Sequence, residues 1–300
     1  MHHKAAFLAI LVLPVVAVVA EAPVLTESAK RKTQVSNSKD LAVSEVSSNH
    51  LMPTPSDDPN ATGWKPVPKG RFPALVTFHC NVTPNCCQGV VIKKYYAVTA
   101  AHCLDAIGKN PLAYIGGHEA GNDLRAAAKV QIIRVEETFV HPNWTGHVAD
   151  GHDIAILKLS QPYTGLMPTL ADKPLLPVGN KELLAFRWGN HSLEMARMST
   201  ANTGCRGLTG MGENILCAYS EDAVIKGGCS GSALFVLDDP PETNGSFLDA
   251  IAGGRTDIDI VFGITSYVNG TMMFNNEKFG FAYTPISLNV EWIRGYTDPQ

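Results

Sequence analysis

The stretch AVTAAHCL, Ala97–Leu104, ends an apolar run on a histidine followed at once by a cysteine. The small and branched residues before His102 suit a buried strand. Alone, such a histidine is more often packed than reactive. Two later stretches change its meaning. In HPNWTGHVADGHDIAILKLSQP, His141–Pro162, Asp153 opens a strongly apolar strand, Ile154–Leu159. In KGGCSGSAL, Lys226–Leu234, glycines crowd Ser230 before another apolar strand. Acyl transfer needs these three side chains. A hydroxyl is a weak nucleophile near neutral pH and needs an imidazole to take its proton. The imidazole needs a carboxylate to fix its tautomer and stabilise its charged form. The amides of Gly228 and Ser230 can face a developing oxyanion, because the preceding glycines permit a tight turn.

Around these stations the chain is mostly strand-like. FPALVTFHC, QGVVIKKYYAVTA, LAYIGG, VQIIRVEETFV, DIAILKLS, ILCAYS, SALFVL and VFGITSYV are short runs rich in Val, Ile, Phe and Tyr, punctuated by Gly, Pro and Asn. That texture predicts an all-β barrel or sandwich. SLNVEWIRGYTD, Ser287–Asp298, predicts one C-terminal helix with Ser287 as its cap and Val290, Trp292 and Ile293 on its apolar face.

The N-terminus, MHHKAAFLAILVLPVVAVVAEA, carries an apolar run from Ala5 to Ala20. It is short for a membrane span and is read as a signal peptide, residues 1–20, cleaved before Glu21. Secretion makes the 7 cysteines disulfide candidates. It gives glycosylation meaning to the sequons at Asn60, Asn81, Asn143, Asn190, Asn244 and Asn269. Residues 21–69 are polar and aperiodic and are expected to be a disordered pro-segment or linker, with Lys30-Arg31-Lys32 as a candidate processing site. A net charge of −4 argues against a nucleic-acid partner. The 10 histidines show no metal-ligand spacing, so neither metal nor cofactor is expected.

The chain resembles the chymotrypsin/trypsin-like serine protease family. AVTAAHC is close to that family's histidine motif and DIAILKL to its aspartate motif. RFPALVTF, CQGVVI, FRWG, NILCAY, GITSYV and EWI resemble further segments, so the likeness runs from about Gly70 to Gly295. It implies two six-stranded antiparallel β-barrels, about 70–165 and 166–300, with a C-terminal helix. It implies His102 as general base, Asp153 as orienting acid and Ser230 as nucleophile, with Asp150 and His152 as loop residues. It pairs Cys87 with Cys103 and Cys205 with Cys217. Cys80 pairs with Cys86, unless the adjacent Cys86 and Cys87 exchange roles, and Cys229 is left without an assigned partner. Protein or peptide substrates and proteinaceous inhibitors are the implied partners of an extracellular monomer that has no membrane attachment after signal cleavage.

The sequence departs from the family where the nucleophile sits. Gly-Asp-Ser-Gly-Gly-Pro is usual, and this chain reads GCSGSA. The family's Asp takes an ion pair from a newly cut Ile terminus, yet the chain has ATGWKPVPKG, Ala61–Gly70, where Ile-Val-Gly-Gly would lie. Replacing both members of such a pair can be nearly neutral. The expectation is an oxyanion loop held without cleavage; a collapsed loop is the alternative. Substrate-binding positions by resemblance are Val224, where trypsins carry Asp, then Ser266, Tyr267, Val268 and Phe281. Asp222 lies close to Val224. Val268 and Phe281 narrow the pocket toward a small aliphatic P1 residue, or else belong to the core. Two functions remain: a secreted serine endopeptidase, or a silent homologue that binds a protein or glycan.

Overall fold

The structure is a computed structural model. It describes residues 63–80, 86–118, 130–174, 183–189, 192–200, 214–220, 223, 229–237, 247–274 and 278–298.

The chain enters through β1, Lys65–Pro66, and then forms the first barrel from β2, Leu75–Phe78; β3, Cys87–Lys93; β4, Tyr96–Thr99; β5, Leu112–Ile115; β6, Gln131–Val140; and β7, Ala155–Leu159. All pairings are antiparallel, in the order β2-β3-β4-β7-β6-β5, and β2 closes on β5. Closure leaves no edge strand exposed. Gly89 is needed here, since a Cβ would meet the Val98 carbonyl oxygen at 2.6 Å. Val76, Val98, Ile115 and Ile156 are among the side chains buried in this half.

A short parallel strand, β8, Thr169–Leu170, leads to the second barrel. Its strands are β9, Leu183–Trp188; β10, Leu193–Thr200; β11, Leu216–Tyr219; β12, Ala233–Val236; β13, Ile260–Phe274; and β14, Lys278–Pro285. They run β9-β10-β11-β14-β13-β12, with β12 closing on β9 and β1 added outside on β10. Among the described residues there are three α-helices: α1, Cys103–Ile107; α2, Phe247–Ala252; and α3, Val290–Thr297. The predicted C-terminal helix is α3. Its N-cap is Asn289 rather than Ser287. Asn289 is fully buried and donates from Nδ2 to the Pro285 carbonyl, which fixes the entry from β14 two residues later than expected.

The segment ahead of barrel one serves barrel two. Phe72 packs against Phe186 and Phe235 of β9 and β12, with ring centres 4.8 and 5.4 Å away. Beside it the Arg71 guanidinium makes a two-pronged ion pair with Asp259, at 2.5 and 3.0 Å, and donates to the Ile251 carbonyl. Both side chains are almost wholly buried, which a charge tolerates only when so fully bonded. The order therefore begins before residue 70. Of the segment 21–69, residues Gly63–Lys69 are described, and they lie on barrel two with Trp64 only 1% exposed. The expected signal peptide and the residues up to 62 lie outside the described residues. No helix among the described residues is long and apolar enough to cross a membrane.

Polar links tie the barrels together, two of them away from Asp153. Trp188 in β9 donates from Nε1 to Thr77 Oγ1 in β2, and Gln88 N in β3 donates to the Ser230 carbonyl at 2.8 Å.

Candidate active site

His102 follows β4 directly, and its ring is fixed by Asp153 in front of β7. Nδ1 lies 2.7 Å from Asp153 Oδ2, while the backbone N–H of His102 donates to Oδ1 at 2.9 Å. A carboxylate can only accept, so Nδ1 carries a proton, and in the neutral ring Nε2 keeps its lone pair. Asp153 is 0% exposed, whereas the His102 side chain is 29% exposed. The carboxylate is thus dry and the imidazole reachable. β4 and β7 are adjacent, with Thr99 opposite Ala155, so the sheet itself brings the two residues together.

Barrel two supplies two more bonds to Asp153. Ser266 Oγ donates to Oδ2 at 2.5 Å, and Thr284 Oγ1 donates to the Asp153 carbonyl at 3.0 Å. Ser266 reaches because the β13–β14 ladder slips there. Thr265 faces Tyr283 and Tyr267 faces Ala282, so Ser266 is the extra residue of a bulge. Bulges of this kind re-aim a side chain. Ser266, predicted to bind substrate, therefore directs its hydroxyl at Asp153. Thr284 was not singled out in the sequence, where a Thr inside a strand carries no special signal.

Ser230 lies at the second position of a tight turn, Cys229–Ser232, closed by Ser232 N donating to the Cys229 carbonyl. Gly231 at the third position has φ +77°, a conformation that favours glycine. A Cβ there would also overlap the Gln88 carbonyl oxygen and Thr99 Oγ1. The turn thus presses against β3 and the end of β4, three residues before His102. Gly231 N donates to the Thr265 carbonyl, and Ser232 Oγ donates to the Phe186 carbonyl. The structure brings Ser230 to the barrel-one wall that carries His102, next to the bulge that holds Asp153.

Asp150 and His152 are loop residues, as expected. Asp150 is exposed and accepts from Thr145 Oγ1; His152 has φ +53° and stacks on His141 with ring centres 4.5 Å apart. Phe281 is 0% exposed on β14, opposite Val268 in register and 5.9 Å from the Tyr283 ring. Tyr267 is partly buried. Gly228, Val224 and Asp222 lie outside the described residues.

The Cys87–Cys103 and Cys80–Cys86 disulfides are both formed, which settles the choice between Cys86 and Cys87. The former anchors the residue after His102 to β3. Cys217 is also disulfide-bonded, and its expected partner Cys205 lies outside the described residues. Cys229 is a buried thiol, pushed up to about 12 by burial. Asn143 lies exposed in the turn after β6 and Asn269 lies within β13; the other sequons are outside the described residues. Among the described residues, Cys87, His102 and Cys103 are the grouping of metal-ligand types. Both sulfurs are tied in the disulfide, so no thiolate is offered there.

A family model described as Trypsin matches residues 61–293. Bovine chymotrypsin-like elastase family member 1 is 24% identical over 270 residues, 80% of this chain and 90% of the relative. The human protein of that name is 25% identical over 229 residues, 69% of this chain and 79% of the relative. Among solved structures, neuropsin, a serine protease expressed in the limbic system of mouse brain, superposes with a TM-score of 0.57 at 22% identity. It covers 77% of this chain and 97% of its own, and shows the fold alone. With the family match spanning most of its length, the chain belongs to the trypsin family.

Proposed function

We propose that the chain is a secreted serine endopeptidase that cleaves peptide bonds through an acyl-enzyme on Ser230. The observation that carries this reading is the buried Asp153 carboxylate, which accepts from the His102 backbone N–H and from Ser266 Oγ and holds His102 Nδ1 at 2.7 Å. With Nδ1 protonated, Nε2 takes the Ser230 proton as the hydroxyl attacks the scissile carbonyl. The imidazolium is stabilised by Asp153 and then gives the proton to the leaving amine. Water repeats the cycle to release the acid product. General base catalysis contributes about 10²–10⁴-fold, and each oxyanion donor, here the amides of Gly228 and Ser230, about 10²–10³-fold.

The buried Phe281 supports a small aliphatic P1 residue, because an aromatic ring already fills that stretch of β14. Secretion is supported by the N-terminal apolar run and by the formed disulfides, which persist in oxidising compartments. Protein substrates and proteinaceous inhibitors would be met by a monomer. The same Phe281 favours a second reading, a silent homologue whose pocket admits no side chain. A fluorophosphonate probe on the secreted protein separates the two. Labelling abolished by Ser230→Ala supports the enzyme; labelling that survives the substitution, or none in the wild type, sinks it.

A further inference from the structure

The side chain that precedes Ser230 lies within electrostatic reach of a cluster that the reaction steps do not use. Trp64 enters it from the segment before β1, with its indole buried. The Arg187 guanidinium lies over that indole, 4.4 Å from the ring centre, and its Nε donates to Glu194 Oε2 at 2.7 Å. Arg187 and Glu194 face each other directly across the β9–β10 hairpin. Pro66 of β1 is the neighbour of Glu194 on its other side. Gly189 closes the cluster from above, since a Cβ there would strike the Glu194 carboxylate at 2.5 Å.

The Cys229 thiol is enclosed within electrostatic reach of both charges; Arg187 favours its thiolate, while burial and Glu194 oppose it. It is therefore a neutral, compact group beside a charge pair that balances itself. A carboxylate at Cys229 would need a further cation. Cys229 needs none, because Arg187 is already matched by Glu194. A largely buried ion pair is a weak source of stability and is better suited to fixing geometry. Here Arg187 covers the indole and follows Phe186 in β9, whose carbonyl accepts from Ser232 Oγ in the Ser230 turn, so Arg187 sits on the strand that holds that turn. Trp64 takes part as a side chain within a continuous backbone, so nothing in this cluster requires a chain end.

We propose that Trp64 and the Arg187–Glu194 pair are positioning residues that hold the Cys229–Ser230 turn in its reactive form in the uncut chain, so that Ser230 is competent without cleavage ahead of Gly63. This rests on the reading of Ser230 as the nucleophile.

The test compares two forms of the secreted full chain. One keeps the residues ahead of Ala61; the other carries an inserted protease site that frees a terminus at Ala61. Fluorophosphonate labelling rates are expected to agree within about twofold. A gain above about tenfold on cutting overturns the inference and leaves the nucleophile reading intact. No label in either form sinks that reading and this inference with it. Trp64→Ala is expected to lower kcat on an alanine-P1 peptide anilide at least about tenfold, with KM within about threefold, while Trp64→Phe keeps most of the activity. Should Trp64→Ala show no cooperative melt, Arg187→Gln gives the same readout. Unchanged kcat in a folded variant overturns the positioning role.

Discussion

In barrel one, His102 and Asp153 are fixed by links made close at hand: a disulfide from Cys103 to β3, the β4–β7 ladder and a pair of hydrogen bonds on one carboxylate. In barrel two, some supports come from elsewhere in the chain. Gln88 comes from barrel one, while Trp64 and Arg71, from the segment that precedes it, meet barrel two at Arg187 and Asp259. The His102–Asp153 couple is built within barrel one and steadied from barrel two by Ser266 and Thr284, whereas the Ser230 turn is bonded within barrel two, at Thr265 and Phe186, and to barrel one at Gln88. Losses at His102 and Asp153 should fall on chemistry, and losses at the Arg71–Asp259 pair on stability.

Asp153→Asn should give the largest effect. The amide cannot hold the Nδ1 proton as an acceptor in the same way, and the imidazolium loses its counter-charge. We expect kcat to fall by about 10⁴-fold with the fold retained. Peptide hydrolysis with a parallel urea melt checks this; a fall below about tenfold would break the assignment of chemistry to barrel one.

The Arg71–Asp259 pair should show the opposite pattern. Arg71→Leu takes the guanidinium away from the buried Asp259 carboxylate, and should cost about 3–5 kcal/mol in urea unfolding. The double substitution Arg71→Leu with Asp259→Leu should recover much of that loss, since neither charge is then stranded. Equal costs for the single and double variants would show that the pair does not couple the entry segment to barrel two.

The smallest effect should come from acid. Burial, and next to it the neighbouring His152, lower the His141 pKa to about 4. The unfolded chain takes up this proton near the ordinary value of 6.5. Between those values the unfolded state binds more protons, so stability is full above about pH 6.5 and declines as pH falls toward about 4. The total is on the order of 1–3 kcal/mol. His141→Phe should flatten the melting temperature over that window; an unchanged slope would show that acid sensitivity lies elsewhere.

The same contrast explains what could be read from the residues. The barrel-one strands are short runs of Val, Ile, Ala and Leu, and periodicity finds them. His102 and Asp153 were legible because each abuts such a run. β10, LEMARMST, was not among the strands expected, because Glu, Met, Ala and Arg favour helices in isolation and only pairing with β9 and β11 makes them a strand. β14 was missed in the same way, with Gly280 and Pro285 weakening its pattern. Trp64 was assigned to a disordered segment since its neighbours are Lys, Pro and Gly. Its indole finds a pocket made by β9, which lies more than a hundred residues on. Arg71 was equally silent, for no local pattern announces a partner at Asp259. The hydroxyl of Ser266 turned toward Asp153 only because of a bulge, a feature of register between strands that a single strand does not carry.

One bond described above has a wider consequence. The carbonyl of Ser230 is held by the backbone N–H of Gln88, so the residue proposed as nucleophile belongs to one barrel and is bonded to the other. If Ser230 is that nucleophile, parting the halves would carry its hydroxyl away from His102 and lower its reactivity. Reactivity at this serine is therefore a gauge of docking between the lobes, and a ligand wedged into their seam could silence it without ever touching the imidazole.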